Sequence, residues 1–412
     1  MKLKLDSIGL KGNTLIISLT EFIHDSGGHL TNPFWSLYLL ALGGTLSDLA
    51  LISVIKGLCG LFFHPLLGYL SDRIGRKKPI VIGGFIVAIG PLLHAFSPNW
   101  MWLIPGEILG TIDGGLWAVR QAMFADSAKQ ESRGVGFASL FTIMQIGSIF
   151  MPTIGGILLD AEGVVLGMRI AFVYAATGKT IQSIFNAKFL TEIQVTPKKE
   201  DSKLKEKTKR LDLKASINTL FKPLIANKML QIMLVGIAGL SFSVGLLQRF
   251  MVVYAVDIIG ISEIEWGLVR SSAGIINLFT RIPFGRLADK YGRKKLITIS
   301  YFTRPVSYAF FVFSQTFLHV LFSQSLTTLS LNMYRPGWQA LIADLVPAKQ
   351  RGRFYTTQGM LRNLLSNFSP ALGAFLWENY GPAWSFYTNI IILTGTAFFL
   401  YFFLKEPKIK EK

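Results

Sequence analysis

Cysteine is nearly absent: Cys59 is the only one in 412 residues. No intramolecular disulfide can form, and no cysteine-based metal site can be proposed. Acidic residues are also scarce, 24 against 42 Lys and Arg, and charged residues make up only 16% of the chain, where a soluble domain carries about 25%. No nucleophile, base and orienter fall on one face, which removes an enzyme reading. The tripeptide GKT at Gly178 to Thr180 has Val173 where a phosphate loop needs glycine, so it marks no nucleotide site and no cofactor is called for. No polar segment is long enough to fold as a nucleotide-binding domain, which excludes a primary pump. A cleavable signal is not expected either. The first apolar run is broken by Glu21 and Asp25 and lacks a small-residue cleavage site.

Apolar residue types, by contrast, fill 51% of the sequence, aromatics 13%, and mean hydropathy is +0.44. This is the composition of a polytopic membrane protein. Apolar stretches of roughly 20 residues, enough to cross a core of about 30 Å as helix, centre near residues 27, 60, 89, 113, 147, 179, 241, 275, 305, 331, 364 and 393. The predicted fold is all-α, twelve transmembrane helices in two six-helix halves, 1–190 and 229–412, joined by a linker at 191–228. In that linker Leu213, Ile217, Leu220, Phe221 and Leu224 keep helical spacing, so part of it is expected on the membrane surface. The net charge of +18 does not point to nucleic acid. The basic residues gather on alternate loops while Asp48, Asp160, Glu162, Asp257, Glu263, Glu265 and Glu378 occupy the others. The positive-inside rule then places both termini and the linker in the cytoplasm, in a multi-pass protein expected to act as a monomer in the cell membrane.

The chain contains one stretch twice. GYLSDRIGRKK runs from Gly68 to Lys78 and GRLADKYGRKK from Gly285 to Lys295, an offset of 289 − 72 = 217 residues between their aspartates. QAMFADSAKQESRG around Asp126 matches QALIADLVPAKQRGR around Asp344, and PTIGG from Pro152 matches PALGA from Pro370, both at 218. Three ordered matches at one offset mark a duplicated half.

GxxxDRxGRKK between helices 2 and 3, echoed between helices 8 and 9, resembles the signature loop of the major facilitator superfamily of secondary transporters. The resemblance covers nearly the whole chain. It implies alternating access and a gate formed by Gly68, Asp72, Arg73, Gly75, Arg76 and Asp126, repeated by Gly285, Asp289, Gly292, Arg293 and Asp344. In the family the acid at Asp72 meets a helix N-terminus of the opposite half, and Arg76 pairs with Asp126. Helix 4 departs from the pattern, with Gly106 and Gly110 where the family often has an arginine and a glycine. Glu107 stands beside that gap and Asp113 lies two turns on, which suggests that carboxylates take the arginine's part. GSIFMPTIGG from Gly147 to Gly156 is similar to the antiporter-associated motif of helix 5, with Met151 where glycine usually precedes the proline.

At about 100° per residue, Glu21, Asp25, Gly28, His29 and Asn32 share one stripe of helix 1, with Asp25 near mid-membrane. A charge there costs on the order of 2.5–3.5 kcal/mol, so the carboxyl must face a wet cavity, be paired or be protonated. The last makes it a proton carrier; a packed inter-helix hydrogen bond is the plainer alternative. Asp25 and Glu21 are therefore the candidate proton-coupling residues, with Glu107 and Asp113 as helpers, although Glu107 could instead pair with an arginine of the second half as part of a gate. Paired carboxylates could also bind Na⁺. The second half reverses the charge, with Arg249, Arg270, Arg304, Arg335 and Arg362 within apolar runs. These arginines either face the acids of the first half across the cavity or bind an anionic substrate. Together with His29, Asn32, Lys179, Gln248 and Asn277, Arg249, Arg270, Arg335 and Arg362 are the candidate cavity residues. Two readings stand: proton-coupled export of small organic compounds, and uptake or exchange of an organic anion. A transporter-like sensor is a third, disfavoured by the two gate motifs.

Overall fold

The structure, a computed structural model, describes residues 9–130, 132–192, 228–346 and 348–405; the amphipathic stretch around Leu213 to Leu224 lies outside them. Among the described residues the chain forms twelve membrane helices and no strand. Helix α1 is Asn13–Thr31, carried on by a 3-10 turn at Asn32–Phe34 and the short helix Trp35–Ala41; then come α2 (Leu46–Ile74), α3 (Lys77–Ala95) and α4 (Leu103–Ser127). The helical run Arg133–Phe189 is broken at Gly163 (φ 76°), which divides it into α5 (133–162) and α6 (164–189). Helix α7 is Lys228–Gln248, extended through Met251–Val253 into a π-helical turn at Tyr254–Ile259. Helices α8 (Glu263–Tyr291), α9 (Arg293–Val312), α10 (Phe317–Leu345), α11 (Ala348–Tyr380) and α12 (Pro382–Phe403) complete the set. Taken singly, Leu46–Ile74, Lys77–Ala95, Arg133–Phe189, Lys228–Gln248 and Pro382–Phe403 are long and apolar enough to cross a membrane. The others carry polar residues that find partners on neighbouring helices, the condition for placing them in lipid.

The duplication extends into local backbone chemistry. Thr45 caps α2 and Ser262 caps α8 with the same reciprocal arrangement, in which the hydroxyl accepts the third backbone N–H and the acid there, Asp48 or Glu265, accepts back. Their offset is 262 − 45 = 217. Left-handed glycines recur in step, Gly43 with Gly260, Gly75 with Gly292, and Gly163 with Gly381. Each ends a helix where a side chain would be strained.

Packing is different at the two ends of the bundle. Around the acidic loops a single apolar cluster joins both halves, with Trp35, Leu49 and Phe172 against Phe250, Tyr254 and Trp266. Around the basic loops each half has its own cluster, Ile17, Met123 and Phe124 in the first and Met233, Trp338 and Leu341 in the second. The named contacts between halves follow the same division. Ser47 Oγ donates to Glu378 Oε2 at 2.5 Å, Thr153 Oγ1 to Ser271 Oγ at 2.7 Å, and Trp266 Nε1 to the Pro33 carbonyl at 3.1 Å. The central space is thus sealed at the acidic end.

The seal depends on backbones that nearly touch where α5 crosses α8. A Cβ at Gly267 would stand 2.5 Å from the Pro152 carbonyl oxygen, and one at Gly156 would stand 2.5 Å from that of Glu263. Only glycine permits this approach. Gly267→Leu is expected to cost this sealed conformation about 1–3 kcal/mol, read as longer label-to-label distances across the acidic ends of α5 and α8. Unchanged distances would show that the crossing does not hold the seal.

Candidate functional site

Beneath the seal lies a cavity of about 520 Å³, within the size range of small-molecule sites. Helices of both halves line it. His29 and Asn32 come from α1, Gln145 and Ser148 from α5, Gln248 and Arg249 from the end of α7, and Arg270 and Asn277 from α8. Pro33 interrupts α1 at this level, so the 3-10 turn presents Asn32 to the space. Arg249 is held with its guanidinium 4.7 Å from the centre of the Trp35 ring, a cation–π contact across the halves. The lining combines amides, an imidazole, two guanidinium groups and apolar walls, which can hold a polar or charged organic molecule without a metal.

A second polar assembly is packed inside the first half, where α1, α4 and α6 meet. Glu21 and His24 are three apart on α1, Asp113 and Arg120 seven apart on α4, and Lys179 and Gln182 three apart on α6, so each pair shares a helix face. Arg120, only 2% exposed, reaches Glu21 Oε1 with Nε at 2.5 Å and Asp113 Oδ1 with Nη2 at 2.9 Å. Gln182 Nε2 donates to Glu21 Oε1 at 3.0 Å. On its other side Asp113 Oδ2 lies 2.7 Å from His24 Nε2 and 2.9 Å from Lys179 Nζ, and those two nitrogens are 2.6 Å apart. His24 Nδ1 sits 3.5 Å from Asp25 Oδ1 and 3.9 Å from Glu21 Oε2.

This geometry has a protonation consequence. An imidazole nitrogen either donates or accepts, so His24 Nε2 cannot both donate to Asp113 and accept from Lys179. The triangle has two hydrogen-bond arrangements that differ in the position of one proton. The formal charges agree. Glu21, Asp25 and Asp113 bring three negative charges, Arg120 and Lys179 two positive ones, and the assembly balances when one further proton is held. Glu21, His24 and Asp25 also offer ligand atoms within 4.8 Å of one another, but the cations of Arg120 and Lys179 beside them oppose a metal ion.

At the basic end the two repeated loop motifs form matching ion pairs. Arg76 Nη1 lies 2.5 Å from Asp126 Oδ2, and Arg293 pairs with Asp344 while donating to the Ala340 carbonyl at 3.0 Å. Gly75 and Gly292 take φ of 85° and 94° as the helices end. Arg73 stacks its guanidinium 4.8 Å from the Tyr69 ring centre, and Asp72 is exposed. Gly68 has open space beside it and Gly285 has Pro336 as its neighbour. The Asp289 side chain lies outside the described ones.

The Major Facilitator Superfamily family model matches residues 17–280 and 233–412. The chain belongs to this superfamily. It is therefore a multi-pass membrane transporter. It is 23% identical over 411 residues to the multi-drug resistance efflux pump PmrA of Streptococcus pneumoniae, covering 98% of this chain and 99% of that protein. It is 26% identical over 425 residues to the multidrug resistance protein MdtG of Proteus mirabilis, covering 100% of both. Among solved structures it is similar to the nucleoside transporter NupG (TM-score 0.75, 14% identity, 96% of this chain and 100% of that one). It is also similar to a D-xylose-proton symporter (TM-score 0.72, 17% identity, 96% and 98%).

Within this superfamily transporter the candidate residues divide. His29, Asn32, Gln248, Arg249, Arg270 and Asn277 line the cavity, while Arg335 and Arg362 do not, so the four arginines expected together form two pairs. Glu21 shares a stripe with His29 yet turns into the first half, where it is 1% exposed. A helical wheel shows which residues share a side; it does not show which neighbour that side meets. Glu107, a candidate helper for which an arginine of the second half was the alternative partner, instead has Lys56 of α2 beside it, with Nζ 2.6 Å from Glu107 Oε2. Likewise the acids Glu21 and Asp113 pair with Arg120 and Lys179 of their own half rather than across the cavity. Lys179 is a member of the network and not of the cavity lining.

Sequence reasoning missed His24, Lys56, Arg120 and Glu192. Arg120 stood two turns from Asp113 on its own face, a readable signal. Glu192 had none, since its carboxylate accepts the Arg76 and Lys77 backbone N–H groups, both at 2.9 Å, more than a hundred residues away. Arg120 joins two buried acids, and removing it leaves both unmatched. Arg120→Met is expected to destabilise the protein by about 3–5 kcal/mol, measured as a large fall in melting temperature in neutral detergent. A fall no greater than that of a surface Arg→Met change would show that Arg120 is not the anchor.

Proposed function

We propose that this transporter exports small organic compounds in exchange for protons, working as a monomer in the cell membrane with both termini in the cytoplasm. The observation that carries the reading is the His24–Asp113–Lys179 triangle, which has two hydrogen-bond arrangements that differ in the position of one proton, beside cations that oppose a metal ion. The names of the full-length relatives support export. The distribution of basic loops supports the orientation. In that orientation the cavity is sealed from outside, and a substrate enters it from the cytoplasm.

Coupling has a physical route through α1. The helix carries His24 and Asp25 in the network, one turn on His29 in the cavity, and the 3-10 turn that continues it brings Asn32 there. A proton gained or lost in the network changes which partner His24 holds, and with it the register of the helix segment that bears the cavity residues. Substrate and proton then bias the same two-state rocking of 1–190 against 229–412 around the cavity, with 191–228 as tether. The arginine–acid pairs at the basic end act in the gate, with Asp72 and Asp289 positioned on its loops to meet the opposite half when that end closes.

The test uses proteoliposomes with an imposed pH gradient and a pH-reporting dye. A lipophilic cation or a neutral drug is expected to collapse the gradient with the wild type. Asp113→Asn should abolish that response, and Asp25→Asn and His24→Gln should weaken it, while substrate binding measured at equilibrium persists. A response that follows an imposed sodium gradient, or one that survives Asp113→Asn undiminished, would refute proton coupling through this network.

A further inference from the structure

The membrane interior of the second half holds a set of cations with nothing to balance them. Up to the end of α12 its acids are Asp257, Glu263, Glu265, Asp289, Asp344 and Glu378, all within a turn of a helix end. Arg281, Arg304, Arg335 and Arg362 lie deep in α8, α9, α10 and α11. They stand 10, 11, 10 and 14 residues from the basic ends of those helices, so at ~1.5 Å per residue all four reach a similar depth of roughly 15–20 Å. Helix α10 packs against α8 and α9 and meets α11. Arginines at one depth on these four helices therefore stand around a shared region. It is below the sealed cavity, on the side where the two halves have separate cores.

Arg304 shows that the place is unfinished. It is 3% exposed, and none of its three guanidinium nitrogens has a hydrogen-bond partner. A guanidinium cannot shed its proton in a protein, and a buried charge without a counter-charge is strongly unfavourable. Tyr301, the neighbour one turn below, spends its hydroxyl on the Gly236 carbonyl at 2.8 Å. Of the interior acids of the first half, Glu21, Asp113 and Glu107 are held by Arg120, Lys179 and Lys56, and Asp25 lies beside His24. Arg281, Arg335 and Arg362 are exposed and present an approach to the same region.

We propose that Arg281, Arg304, Arg335 and Arg362 form a binding site for a multiply charged oxyanion, bearing phosphate or carboxylate groups, that enters from the end where the halves are parted. Planar guanidinium forks match such oxygens two at a time. The exposed arginines capture the anion and Arg304 supplies the charge behind them. The site starts one turn of α8 below the cavity residue Asn277 and uses none of the residues that line the cavity, and it stands whether or not transport is coupled to protons.

The test is binding of pyrophosphate and of citrate to the purified full-length protein in neutral detergent, by calorimetry and by melting temperature, against sodium chloride at equal ionic strength. Both probes are expected to bind and to raise the melting temperature. The R335Q/R362Q double variant should bind them at least about tenfold more weakly, while Arg286→Gln, near the basic end of α8, retains binding. Arg304→Met should melt higher than wild type without anion and gain nothing from it. Reconstitution with and without phosphatidylglycerol separates the sources: loss of probe binding in its presence assigns the site to a lipid headgroup, and undiminished binding assigns it to a soluble anion. Stabilisation no greater than that by chloride, or equal binding by the double variant, overturns the proposal. Asp113→Asn keeps anion binding if only the proton mechanism fails, so the two failures can be told apart.

Discussion

The arginine that bridges two buried acids governs the first half. Arg120 cannot lose its charge, and in the membrane interior a charge of one sign has to be met by the other at contact distance. By spanning Glu21 on α1 and Asp113 on its own helix, it fixes how α1 and α4 face each other. Once Arg120 has taken one oxygen of Asp113, the other is left for His24 and Lys179. The His24–Asp113–Lys179 triangle is therefore a consequence of the bridge. A structure in which Arg120 served only Glu21 would leave Asp113 free to rotate away from His24, and the two hydrogen-bond arrangements would disappear.

Two sequence halves that share a fold have divided the electrostatics unequally. The first half balances its interior charges internally, with three acids in the network against two fixed cations and an imidazole, and a separate Lys56–Glu107 pair. The second half carries arginines and no interior acid. Duplication preserved what the backbone requires, including the capping boxes at Thr45 and Ser262 and the left-handed glycines at Gly75 and Gly292. It did not preserve the interior polar residues. Backbone constraints are the same wherever a helix must end, whereas interior charges answer to the partners each half provides.

Much of the fold was legible because membrane helices announce themselves by length and apolarity, and the loop motif repeats at one offset. All twelve predicted centres fall within helices of the structure. The lining of the cavity was legible in part. His29, Asn32, Gln248, Arg249, Arg270 and Asn277 are polar residues at mid-depth on helices that meet at the interface of the halves. What the one-dimensional reading lacked was the azimuth of each helix. Glu21 and His29 share a stripe that is broad enough to face two places at once, the lower part the α4–α6 side and the upper part the cavity. The break at Asn32–Phe34 ends that stripe just where the cavity begins. Glu192 illustrates a harder limit, since a cap supplied from the start of the linker to the N-terminus of α3 depends on tertiary placement alone.

Helix α1 ties these parts into one mechanism. Its first turns pack in the core of the first half beside Met123 and Phe124, its middle carries Glu21, His24 and Asp25, and its last turn enters the cavity below the seal. Trp35, immediately beyond the break, lies under Arg249 of the opposite half, and the Pro33 carbonyl accepts from Trp266. A rotation or shift of this one helix therefore acts on the network, on the cavity lining and on the contact between halves at the same time. Coupling over such a distance needs an element with two discrete arrangements that both sites bias. In the proposed mechanism an exchange of His24 between Asp113 and Lys179 would supply the first bias, and ligand contacts of His29 and Asn32 the second.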